Sequence, residues 1–91
     1  MHVTVEFFGP AREAAAAARL AIDCDGPCTA QDLVARLARE HGGRLAHLLL
    51  TDNGLAATVL IAVNDVQAAG PVPLQDGDEI ALIPPVSGGS F

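Results

Sequence analysis

The stretch Ala81-Leu82-Ile83-Pro84-Pro85-Val86-Ser87-Gly88-Gly89-Ser90-Phe91 constrains this chain more than any other. Its apolar start reads as the end of a buried strand. Pro84 and Pro85 then stop that strand, because neither offers an N–H to a ladder and each holds φ near about −65°. Beyond them Ser87 to Phe91 offer little to pack, so residues 1–86 read as one domain and residues 87–91 as its tail. A chain of this kind ends in its own core strand. A Gly/Ser ending is also what a frayed terminus without a role looks like, so the preceding residues have to decide between the two readings.

From the start, Val3, Val5 and Phe7 alternate with His2, Thr4 and Glu6, the period-2 pattern of a half-buried strand. Pro10 suits the first turn of a helix, and the alanine-rich run from Ala11 to about Ala17 predicts a short one. Arg19 to Asp25 alternates again, as a second strand. Gly26-Pro27 turns the chain, Thr29 is placed as an N-cap, and Asp32 stands three residues on, as in a capping box. Ala30, Leu33, Val34, Leu37, Ala38 and His41 then recur at helical spacing, with Asp32 and Arg36 as an i,i+4 pair and Gly42-Gly43 as the stop. Arg44 to Leu50 predicts one more helical turn before the turn signal Thr51-Asp52-Asn53-Gly54. Thr58 to Asn64 is apolar without alternation and is expected to be a central strand buried on both faces. Asp65 to Gln75 is expected to be irregular, and Asp76-Gly77-Asp78 to lead into the closing strand Glu79–Ile83.

One main helix with short helices and a mixed four-stranded sheet is an α+β arrangement. A first hairpin-like pair, a helix crossing the sheet and a last strand returning beside the first make the β-grasp, or ubiquitin-like, topology. Its core is expected to gather Val3, Val5, Phe7, Leu33, Leu37, Leu60, Ala62 and Leu82.

All five basic residues are arginines, none lies beyond Arg44, and the formal net charge is −6. An acidic second half with Asp52, Asp65, Asp76, Asp78 and Glu79 argues against nucleic acid, which rewards clustered Lys and Arg. No apolar run is long enough for a bilayer, and the start lacks the basic-then-apolar order of a signal peptide, so a cytoplasmic protein without a membrane partner is expected. Cys24 and Cys28 lack the companions of a zinc site. Cys24 is in phase with Leu20 and Ile22 and should act as a small core hydrophobe, Cys28 should be partly exposed, and a cytosolic disulfide is not expected. His2, His41 and His47 are scattered over different elements, so neither a catalytic set nor a metal site is expected.

Phe7-Phe8-Gly9-Pro10-Ala11-Arg12-Glu13, Val63-Asn64, and Asp76 to Gly89 with its Pro-Pro-Val-Ser-Gly-Gly ending resemble the ThiS/MoaD family of sulfur carriers. The likeness leans toward the small, sulfur-carrying subunit of molybdopterin synthase. It implies a carrier that is a cosubstrate and not an enzyme. By this resemblance Gly88 and Gly89 thread a narrow channel, where a Cβ would clash. An E1-like adenylyltransferase/sulfurtransferase using ATP and a sulfur donor would then turn the Gly89 carboxylate into a thiocarboxylate. Ile83, Pro84, Pro85, Val86 and Arg12 match the partner-facing positions. An apolar patch around Ile83, rimmed by Asp76, Asp78 and Glu79, is expected to meet both the activator and a sulfur-accepting synthase, such as the large subunit of molybdopterin synthase or an analogue. The acceptor pathway could be molybdopterin, cysteine or secondary-metabolite biosynthesis. No bound cofactor is implied.

Ser90 and Phe91 depart from the family pattern, which ends at the second glycine. They imply an extension to be removed, as by a zinc metalloprotease of the JAMM type. Two other readings stay open: a ubiquitin-like binding module that is never charged, and conjugation to lysines of other proteins. The absence of lysine excludes chains of this protein on itself.

Overall fold

The alternation at the start makes strand β1 (His2–Phe7), which buries Val3, Val5 and Phe7 and turns His2, Thr4 and Glu6 the other way. The computed structural model describes residues 1–83. After β1 comes α1 (Pro10–Ala15), with Pro10 where a missing N–H does no harm and Ala16 closing it at φ 57°. Strand β2 (Arg19–Asp23) returns antiparallel to β1, with Glu6 opposite Arg19 and His2 opposite Asp23.

Helix α2 (Ala30–His41) starts as its sequence predicts: the Asp32 N–H donates to Thr29 Oγ1 at 3.1 Å. Ala30, Leu33, Val34, Ala35 and Ala38 are buried, whereas Leu37 is only half-buried and His41 is exposed. Among the described residues Arg36 does not pair with Asp32. Its Nε lies 3.9 Å from Glu40, one turn later; the longer glutamate reaches back to the guanidinium, while Asp32 sits at the positive end of the helix. Gly42 at φ 68° ends α2, and α3 (Gly43–Leu49) follows at once, running longer than the single turn expected. It buries Leu45 and Leu49 fully. Strands β3 (Leu50–Thr51) and β4 (Gly54–Leu55) then form a small hairpin about Asp52-Asn53.

The main sheet is completed by β5 (Leu60–Val63), β6 (Val66–Gln67) and β7 (Glu79–Ile83). Its order is β2-β1-β7-β5-β6, with β7 parallel to β1 and antiparallel to β5. This is a β-grasp sheet with a fifth strand that the sequence did not predict. Asn64 and Asp65, at φ 51° and 69°, make a two-residue turn that folds Val66 back opposite Val63 within the segment expected to be irregular.

Strand β5 also corrects two expectations. It buries Ile61 and Val63 and turns Leu60 and Ala62 away from the core, so it is covered on one face only. The pairing decides the phase. Ile61 lies opposite Leu82, itself fully buried, and a slip of one residue would exchange the faces. The helices therefore cover one side of the sheet and leave the other open. No helix among the described residues is long and apolar enough to cross a membrane.

Candidate docking face and tail exit

The open face of the sheet is graded from end to end. Where β1 and β7 finish, Leu60 and Ile83 stand opposite each other in the antiparallel pair, and the Phe8 N–H donates to Leu82 O at 3.3 Å. Phe8 continues the alternation of β1, so Phe8, Ile83 and Leu60 form an apolar row across three strands, 41%, 38% and 44% exposed. One step along the strands the row is Glu6, Ala81 and Ala62, low and narrow apart from the glutamate. Beyond it lie Thr4 and Glu79. Arg19 Nη2 approaches Glu79 at 3.6 Å, so that carboxylate is partly matched on its own sheet.

The acidic rim is not where the sequence reading put it. Asp76 and Asp78 precede β7, whereas Ile83 ends it, about 13 Å beyond Glu79 at the usual rise per residue. Both aspartates hold backbone together. The His2 N–H donates to Asp76 Oδ1 at 2.7 Å. Asp78 accepts from Asn64 Nδ2 at 3.0 Å and from the Gln75 N–H at 2.8 Å. Asn64 returns the contact by accepting from the Glu79 N–H at 3.0 Å. The Val63-Asn64 signature is thus a clamp between the β5–β6 hairpin and the start of β7.

Of the residues singled out by sequence, Ile83 is in the exposed row. Arg12 is exposed on α1, the helix that begins two residues after Phe8. Pro84, Pro85, Val86, Gly88, Gly89, Ser90 and Phe91 lie outside the described residues. The sequence reading missed Phe8 and Leu60 as members of this exposed row. Phe8 carried a signal, since it falls on the polar phase of β1, but Leu60 sits in an unbroken apolar run and carried none. Among the described residues no group of three or more His, Cys, Asp or Glu could hold a metal ion, and no pocket opens on the surface.

The ThiS family model matches residues 5–89, nearly the whole chain. The chain belongs to the ThiS family. This is a family of small ubiquitin-like sulfur carriers that are not themselves catalysts. The carrier is similar to SAMP1 from Haloferax volcanii, at 31% identity over 98% of this chain and 100% of that one, with a TM-score of 0.84. It is similar to Urm1 from Trypanosoma brucei at 29% identity, over 97% and 95% of the two chains, with a TM-score of 0.76. A chain of the BexX/CysO complex from Amycolatopsis orientalis shares its fold, at 24% identity over 96% and 99% and a TM-score of 0.64. No curated protein matches the carrier.

Proposed function

We propose that this carrier delivers sulfur from a thiocarboxylate on Gly89, formed after whatever follows Gly89 has been cut away. The observation that carries this reading is the extent of the family match, which runs through Gly88 and ends at Gly89, leaving Ser90-Phe91 outside. The chemistry needs a free carboxylate there, and in this sequence that carbon is held in an amide to Ser90. A zinc-bound hydroxide suits the cleavage, because the metal supplies a nucleophile at neutral pH and polarises the scissile carbonyl. A JAMM-type metalloprotease is the proposed agent.

Once free, the Gly89 carboxylate attacks the α-phosphate of ATP on an E1-like enzyme and releases pyrophosphate. Sulfide-level sulfur (HS⁻) from a donor then attacks the acyl carbon and AMP leaves. The product is the thiocarboxylate, which a sulfur-accepting synthase consumes. The carrier supplies neither acid nor base; it supplies a grip. Phe8, Ile83 and Leu60 lie where the last described strand ends, so a partner that covers this row also holds the segment entering its active site. Burial of such a row gives affinity at the centre of an interface. The BexX/CysO complex is a case of a protein with this fold held by a partner.

Intact mass after incubation with ATP, an E1-like activator and a sulfur source tests the reading. Protein ending at Gly89 is expected to gain the mass of one oxygen-to-sulfur exchange, and protein ending at Phe91 to stay unchanged. A thiocarboxylate on the chain still ending in Phe91 overturns the cleavage step. No exchange on the Gly89-ending protein overturns the carrier chemistry and leaves a binding module.

A further inference from the structure

At the opposite end of the sheet from the apolar row, the sulfur atoms of Cys24 and Cys28 lie 3.5 Å apart, and both thiols are free. The turn between them makes this meeting. Gly26, at φ 75°, and Pro27 fold the chain back so that two residues four apart converge. Cys24 is 1% exposed, beneath the end of β2, while Cys28 is half-buried and reachable from solvent. Arg36 Nη2 comes within 3.8 Å of Cys24 Sγ, a cation placed beside the buried sulfur. None of these groups belongs to the docking face.

We propose that Cys24 and Cys28 form an oxidisable dithiol that closes to an intramolecular disulfide under a peroxide-class oxidant. The reachable Cys28, as thiolate, attacks one peroxide oxygen. The O–O bond breaks, Cys28 becomes a sulfenic acid, and the departing hydroxide leaves as water after taking up a proton. Cys24, with the Arg36 guanidinium 3.8 Å from its sulfur, then gives up its proton and attacks the Cys28 sulfur. The S–S bond forms, the S–O bond breaks, and a second water leaves. Two thiols and one peroxide thus become one disulfide and two waters. The sulfurs have only to close from 3.5 Å to about 2.05 Å. Burial raises the Cys28 thiol above its ordinary pKa, and its neighbour Cys24 adds to the rise. Cys28 therefore rests protonated at neutral pH and answers sustained oxidant rather than traces.

The test is peptide mapping of the full-length chain after reduction and then hydrogen peroxide. Trypsin releases Leu20–Arg36, which holds both cysteines and separates them from Met1, the single methionine. The expected result is that this peptide loses two hydrogens, resists alkylation and regains both thiols with dithiothreitol. Cys28→Ser is expected to abolish that loss, and Cys24→Ala, should it fold, to do the same. Disulfide-linked dimers as the main product, a peptide that gains oxygens instead, or unchanged alkylation of both thiols would each overturn the proposal.

Discussion

Leu60 and Ile83 face each other across β5 and β7, and both aliphatic side chains are left in solvent. Directly opposed residues on one face act as a unit. Two branched side chains opposite each other on one face give a partner a wider apolar surface than either gives alone.

An aspartate at either position puts a charge at the centre of that surface. Ile83→Asp and Leu60→Asp are each expected to weaken binding of the E1-like activator roughly tenfold to a hundredfold, about 1.4–2.8 kcal/mol. Thermal midpoints should stay close to wild type, since neither side chain is in the core. Titration calorimetry with unchanged dissociation constants for both variants would remove this face as the docking surface.

The clamp at the far end predicts a different outcome. Asn64→Gly keeps the left-handed backbone but loses the side-chain contacts to Asp78 and the Glu79 N–H. It should cost about 1–2 kcal/mol in urea unfolding and leave activator binding unchanged. Asp78→Ala should cost a similar amount. The double variant should cost less than the sum, because both singles break the same contact.

Within the core, Leu33 and Leu37 are one turn apart on α2 but not equivalent. Leu33 is almost wholly enclosed and Leu37 only half so. Leu33→Ala should lose about 2–5 kcal/mol, and Leu37→Ala clearly less. Equal losses would mean that α2 is rotated from the orientation described.

For Cys28 the pH dependence has a definite sign. Burial disfavours its thiolate first, and Cys24 adds to the effect. At any pH near neutrality its thiolate fraction is below that of a free cysteine, and its alkylation rate should rise at higher pH than for a model thiol. Cys24→Ala removes two of the raising causes, so the rate profile should move toward lower pH. A profile for the intact chain that coincides with a free cysteine contradicts this.

The residues of β1, α2 and β7 announced themselves because each has one face in water and one in the core. Their spacing, 2 in the strands and 3.6 in the helix, carries that difference directly. Thr58 to Asn64 carries no such difference, and its phase comes from Leu82, a neighbour in space but distant in sequence. Leu60 was therefore placed in the core although it lies on the open face of the sheet. Strand β6 was hidden for another reason. Two residues are too short for a pattern, and the turn before it uses Asn64-Asp65 without glycine. The misplaced acidic rim came from counting charges along the chain, when β7 sets them at its far end from Ile83.

The position of β7 between β1 and β5 has a mechanical consequence. Traction on the chain at Ile83 draws β7 along its own length, while its ladder bonds on both sides run across that direction. The bonds are loaded in shear, all at once, and cannot open singly as a zip does. A domain hauled by this end keeps its shape until several main-chain bonds fail together, so a machine that pulls on the chain beyond Ile83 drags a folded body behind it.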